Sequence, residues 1–167
     1  MKNMTMDLMD KSEIEIGVED SHRAEVAKGL STFLASTYTL YMKSLYYHWN
    51  VTGANFRSLH ELFEDQYTDL SAAGDTIAER VRALGHFTPG TFAEFAKLSM
   101  VIEDTSLPTT GSEMVQNLLH DHETCSLHAR HTMKMAEKAE DAVTTDLMVE
   151  RMAIHDEAAW MLRSIAQ

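Results

Sequence analysis

Breaks in helical propensity are few in this 167-residue chain, and they fall in bunches. Gly53 stands alone; Gly85, Pro89 and Gly90 make a second break, and Pro108 with Gly111 makes a third. The long intervals between them are rich in Ala, Leu, Met, Glu and Arg, residues that give up little on entering a helix. The spacing predicts helices over 21–51, 55–84, 112–140 and 144–166, with a short one over 92–98 in the middle connection. Four long helices in one domain's length imply an all-α four-helix bundle. The Gly53 turn is short, so the first two helices are expected to be antiparallel neighbours. The 27 residues between positions 84 and 112 can instead travel the length of the bundle, as the crossover of a ferritin-like fold does. An ordinary up-down bundle with a decorated loop is the alternative.

Charge excludes several functions. Fourteen Lys and Arg stand against 26 Asp and Glu, a net charge of −12, whereas a dedicated nucleic-acid binder needs clustered cations for phosphate. Residues 1–20 lack a helical pattern and read as a flexible acidic tail ahead of a domain over 21–167. Residues 1–23 carry three cations against six acids, which speaks against DNA binding through that tail. A single cysteine, Cys125, excludes a disulfide framework and fits a reducing cytoplasm. No apolar run approaches the roughly 18 residues of a membrane span, and no secretory h-region opens the chain.

The chemistry concentrates on the second helix. Leu59, Phe63, Leu70, Ile77, Val81 and Leu84 recur at helical spacing as a core stripe, and beside it runs a polar band of His60, Glu64, Ser71, Asp75 and Glu79. His60 and Glu64 are four apart, as are Asp75 and Glu79, so each pair projects from one face and can share a cation. Taken alone, either pair is equally an ordinary solvated face. His60 and Asp75 lie ~22 Å apart along a helix and cannot share a metal within one chain. An antiparallel copy of the same helix, related by a two-fold axis near Asp69 and Leu70, brings His60 of one subunit against Asp75 of the other and makes two identical sites. Imidazole from one chain with carboxylates from its partner is a donor mix that suits iron. His48, near the end of the first helix, can sit beside the start of the second and add a ligand.

The run His48-Trp49-Asn50-Val51-Thr52-Gly53, followed by Phe56, Leu59-His60, Phe63, Tyr67, Leu70, Asp75 and Ala78-Glu79-Arg80, closely resembles the Dps family of mini-ferritins. The segment Ala159-Trp160-Met161-Leu162-Arg163-Ser164 extends the likeness towards the C-terminus. The resemblance implies a homo-dodecameric hollow shell, built from two-fold dimers, that oxidises Fe(II) to Fe(III), preferentially with hydrogen peroxide, and stores the ferric product. It implies ferroxidase ligands His48, His60 and Glu64 from one subunit, with Asp75 and Glu79 from the two-fold mate. Many members carry Asp where this chain has Glu64. It further implies that Glu61 and Asp65 face the cavity and nucleate mineral, and that Asp141, Asp146 and Glu150 line three-fold pores that admit Fe(II). Acids at a helix start also simply complement its dipole.

Three other features invite a role. Trp49 is an electron donor or a packed aromatic, with packing preferred. His128 and His131, three apart among His120, His122 and Cys125, could hold a soft metal but lack a completed ligand pattern. Many members of the family coat DNA through Lys-rich tails, and a DNA-compacting role is the alternative function that the acidity here opposes. A full-size ferritin is disfavoured, because paired Glu-x-x-His motifs are missing from the helices.

Overall fold

The computed structural model describes residues 14–167. Among these residues the chain forms α1 (Asp20–Asn50), α2 (Phe56–Ala83), α3 (Phe92–Leu98), α4 (Gly111–Lys138) and α5 (Ala142–Ile165). Each boundary falls within two residues of the one expected from propensity and breaks. Helix α1 packs along α2, α4 packs along α5, and α1 also meets α4 and α3.

The topology follows from where α4 begins. A Cβ on Gly111 would lie 2.9 Å from Leu59 Cδ1 and 3.6 Å from Val51 Cγ2, so α4 starts beside the first turn of α2. The two helices therefore run parallel, and the 84–110 connection has crossed the length of the bundle, the ferritin-like solution. Helix α2 stops in a Schellman motif, with Gly85 at φ 88° and the His86 N–H bonded to the Val81 carbonyl. Helices α3 and α4 both start in capping boxes, Thr91 with Glu94 and Thr110 with Glu113. The T-x-x-E spacing at both starts is the sequence signature of that cap.

Leu30, Phe33, Leu34, Leu40 and Tyr47 of α1 are fully buried against Phe63, Leu70 and Ile77 of α2, Leu118 of α4 and Met148 and Leu162 of α5. Charged groups are threaded through this core. Buried Lys43 sits 2.8 Å from Asp121 and 3.3 Å from Asp104 and donates to the Ile102 carbonyl, which staples the end of the crossover to α1 and α4. Arg151 of α5 grips Asp69 of α2 through two nitrogens, at 3.0 and 2.6 Å. Breaking such a pair by removing one partner leaves an uncompensated charge inside. Arg23 of α1 donates to the Val18 and Ile14 carbonyls and Val18 is buried, which ties the segment ahead of α1 back to the helix. The rest of the expected acidic tail lies outside the described residues.

The helix-four-and-five seam holds a histidine pair that spacing did not reveal. His122 and His155 are buried, with their Nδ1 atoms 2.9 Å apart. One Nδ1–H must donate and the other Nδ1 must accept, so the rings hold opposite tautomers and neither can be protonated without cost. Burial, then the nearby Arg151 charge, pushes His122 down to about 4, although Asp69 opposes the shift. His155 is likewise held well below its ordinary value by burial and by His122. Nearby Cys125 is fully buried and its thiol is pushed up by burial, the state of an inert core residue.

A depressed histidine value means that the unfolded chain binds more protons than the folded one between about pH 6.5 and pH 4. Stability is complete above that window and falls as pH drops through it, by about 3 kcal/mol for His122. Urea unfolding across pH 4–8 should show this loss in the wild type and a flatter profile in the His122→Leu/His155→Leu double variant. Parallel profiles would refute the assignment.

Candidate metal centre

The last four carbonyls of a helix have no partner inside it, and His48 carries one of them at the end of α1. Val51 leaves the helix in extended conformation and Gly53 turns the chain at φ 101°, a value that suits glycine. The reversal lays the His48 ring over the His60 ring, with centroids 3.7 Å apart and planes 20° off parallel. His60 Nδ1 lies 2.9 Å from the His48 carbonyl, and His48 Nδ1 lies 2.8 Å from the His60 carbonyl. A carbonyl can only accept, so both Nδ1 atoms carry their protons. In the neutral ring this leaves the lone pair on Nε2, the tautomer a metal needs. The backbone itself fixes the ligand state.

Glu64 stands one turn beyond His60. One donor atom from each of His48, His60 and Glu64 lies within 4.8 Å of the others, and among the described residues this is the one such convergence of three or more His, Cys, Asp or Glu. Two donors ~2.0–2.2 Å from one ion sit at most ~4.4 Å apart, so the three atoms, all within 4.8 Å of one another, must draw together by side-chain adjustment to share a metal. Both histidines are half-buried and Glu64 is exposed, which leaves the point between them reachable from solvent. Tyr67 borders the same point: its ring meets His48 edge-on at 5.2 Å and its hydroxyl lies 3.5 Å from Glu64 Oε1. Phe56 covers the other side of His60 at 5.1 Å. The Tyr67 contact was not read from spacing, although 60, 64 and 67 share one helical stripe.

The remaining expected site residues divide. Asp75 and Glu79 are exposed, one turn apart, and lie outside this cluster. At the expected crossing level, Leu70 is fully buried, and Asp69, partly exposed, is held by Arg151. The exposed side chains at that level are the small Thr68, Ser71 and Ala72. Glu61 pairs with Arg57 at 2.9 Å on an exposed face, and Asp65 is exposed beside it. Asp141 does not line an open surface: it is buried, accepts from the Thr144 N–H at 3.0 Å as the α5 cap, and takes Arg80 at 2.7 Å. Burial alone would raise its carboxyl, but Arg80 and Thr144 outweigh that and hold it low. Asp146 and Glu150 remain exposed. Trp49 is 62% exposed on the single protomer. His128 tilts onto Phe33 and His131 is exposed, and among the described residues neither belongs to a group of three or more converging His, Cys, Asp or Glu.

Residues 27–167 match the ferritin-like domain. The DNA protection during starvation protein of Porphyromonas gingivalis is 33% identical over 150 residues, covering 90% of this chain and 94% of that protein. The chain belongs to the ferritin-like Dps family. A low temperature-induced protein of Nostoc sp. is 39% identical over 155 residues, covering 92% of this Dps-family chain and 87% of that protein. The crystal structure of a Dps protein of Vibrio cholerae, described as a member of a broad superfamily of ferritin-like diiron-carboxylate proteins, superposes with a TM-score of 0.86 at 27% identity. That match spans 90% of this chain and 94% of the Vibrio chain.

His60 is both a donor and the partner that orients His48, so His60→Ala removes one ligand and frees another. Zinc affinity, measured against a competing chelator, should fall by roughly 100-fold or more. Unchanged affinity would exclude this cluster as the metal centre.

Proposed function

We propose that the chain is a ferroxidase and iron store that oxidises Fe(II) to Fe(III), preferentially with hydrogen peroxide, and sequesters the ferric product inside a dodecameric shell. The observation that carries this reading is the reciprocal histidine lock, which leaves two bare Nε2 atoms and a carboxylate around one solvent-reachable point. Two imidazoles and one carboxylate form the donor set of non-haem ferrous centres and leave positions open for an oxidant. The diiron-carboxylate description of the Vibrio relative supports iron as the metal.

The second half of each site comes from a two-fold partner in this reading. Asp75 and Glu79 repeat the one-turn spacing of His60 and Glu64 further along α2. An antiparallel α2 from the partner brings the partner's Asp75 and the partner's Glu79 to His60, and symmetry makes a second, identical site. Thr68, Ser71 and Ala72 at the crossing level are small enough for the two helices to approach.

The gain is chemical. A free Fe(II) hands peroxide one electron and releases hydroxyl radical. Two irons held together hand it two, and the product is water. Removing both reagents protects DNA without touching it, which reconciles a protective role with a net charge of −12. Glu61 and Asp65 are assigned to mineral nucleation, and the exposed Asp146 and Glu150 to the access pore. Asp141 drops out of the pore, since its carboxylate is already bound by Arg80 and Thr144.

Two experiments test the reading. His60→Ala and Asp75→Ala should each abolish peroxide-driven Fe(II) oxidation. Co-assembled in equal amounts, they should recover about a quarter of wild-type activity, because half the dimers pair unlike chains and each of those holds one intact site. No recovery would overturn sharing between subunits. Separately, Asp146→Asn should slow Fe(II) uptake in stopped-flow traces while leaving the helical content intact; unchanged uptake would discard the pore.

A further inference from the structure

A file of tyrosines leads away from the histidine lock. Tyr67 meets His48 edge-on at 5.2 Å, Tyr41 meets Tyr67 at 6.2 Å and 80°, and Tyr38 meets Tyr41 at 6.3 Å and 82°. Tyr38 then stacks on Phe95 of α3 at 5.0 Å, with planes 11° apart. All three tyrosines are half-buried, and Tyr38 and Tyr41 border an open cavity of about 880 Å³ under α3. The arrangement is tightly built at its far end. A Cβ on Gly74 would come within 2.9 Å of the Tyr38 ring, so the glycine lets α2 close down on that tyrosine. Packing alone asks only for apolar bulk here. Phenols in unbroken ring contact with a metal ligand offer something phenylalanine cannot, an oxidisable O–H.

One protomer by itself assembles three donors, enough for one ion. A half-filled site is therefore a state the chemistry must survive, because a lone Fe(II) gives peroxide one electron and leaves hydroxyl radical. We propose that Tyr67 supplies the second electron in that state, and that Tyr41 and Tyr38 share the resulting hole until another Fe(II) arrives. The inference rests on the ferroxidase reading and adds a redox role for these side chains.

The step balances. Hydrogen peroxide, Fe(II), the Tyr67 phenol and one proton give Fe(III), the neutral Tyr67 phenoxyl and two waters. The O–O bond breaks; iron and the phenol are each oxidised by one electron. The phenol O–H is the bond lost on the protein, and its proton leaves towards Glu64 Oε1, 3.5 Å away. Electron exchange falls steeply with distance, so the hole passes through the ring contacts to Tyr41 and Tyr38 rather than to solvent. A later Fe(II) reduces the phenoxyl, takes up one proton to restore the phenol, and becomes Fe(III). Two irons have then reduced one peroxide, the same stoichiometry as a filled site. Trp49, 62% exposed, shows no ring contact with either site histidine among the described residues.

The test uses assembled full-length protein loaded anaerobically with one Fe(II) per protomer, then mixed with peroxide and freeze-quenched. Electron paramagnetic resonance should show a tyrosyl radical, identified by line narrowing when ring-deuterated tyrosine is incorporated. Tyr67→Phe, which keeps the ring against His48 and removes only the O–H, should lose that signal and raise the yield of hydroxyl spin adducts. Tyr41→Phe should keep a radical confined to Tyr67, which remains informative if the Tyr67 variant assembles poorly. A second Fe(II) per protomer should quench the radical as a matching amount of Fe(III) appears. Fe(III) formation without any tyrosyl signal, or a signal untouched in Tyr67→Phe, would overturn the proposal while leaving the ferroxidase reading standing. No Fe(III) at all would sink both.

Discussion

Two hydrogen bonds across the α1–α2 turn set the character of this molecule. They solve a structural problem and a chemical one together. The end of α1 leaves carbonyls without partners, and the His60 Nδ1–H satisfies one of them. The reciprocal bond from His48 to the His60 carbonyl fixes the second ring. Neither imidazole can rotate or change tautomer without giving up a backbone contact, so both present the same nitrogen outwards. A metal meeting this pair pays little for ordering its ligands, because folding has ordered them already. The rest of the bundle serves to hold that turn in register.

How it does so explains the polar groups in the core. Tyr47, one residue before His48, is fully buried and hydrogen-bonded to Asp104, with the Asn117 amide donating to its oxygen at 3.0 Å. Burial first, and the Asp104 carboxylate next, raise its phenol far above the ordinary range, so it stays a neutral hydrogen-bonding strut. Asp104 also lies 3.3 Å from Lys43, which reaches Asp121 on α4. The end of α1 is thus tied to the crossover and to α4 by one connected network. On α2, Arg80 and Asp69 are tied to Asp141 and Arg151 around α5. An apolar core of equal volume can match the stability of such pairs, but it tolerates sliding by a turn, which buried charge does not. The network reads most simply as register control for the site.

The fold was legible in the sequence because helix ends are local matters. Gly53, Gly85 and Gly111, set against long runs of helix formers, locate the breaks without any knowledge of tertiary structure. His48, His60 and Glu64 were legible for a related reason: a short turn and a one-turn spacing bring them together almost regardless of how the bundle packs. Arg151 with Asp69, Lys43 with Asp121 and His122 with His155 were not, since partners far apart in sequence meet only once helix register is decided. Asp141 shows the opposite failure. The family resemblance placed it on an open pore, while its position at a helix start suggested only a partner for the helix dipole; it caps α5, and Arg80, 61 residues earlier, arrives to bury it. Charge type is readable from sequence; exposure is not.

The same contrast bears on how chemistry and assembly are coupled. What one protomer completes by local geometry is a three-donor half-site, able to hold an ion and too sparse to hold two. In the proposed reading, what it lacks is carried on its own α2 as Asp75 and Glu79, too far along the helix to reach. In that ferroxidase reading, a chain that stores half its ligands out of its own reach acts fully only as a symmetric pair, which would withhold reactive iron chemistry until the copy that would enclose the product is present. This division has a weakness, the interval in which a site holds one iron. The tyrosines stand on α1 and α2 of the protomer that owns the histidines, where they need no partner to be in place. A device covering an incomplete site must belong to the half that binds first, and the ring contacts begin at His48.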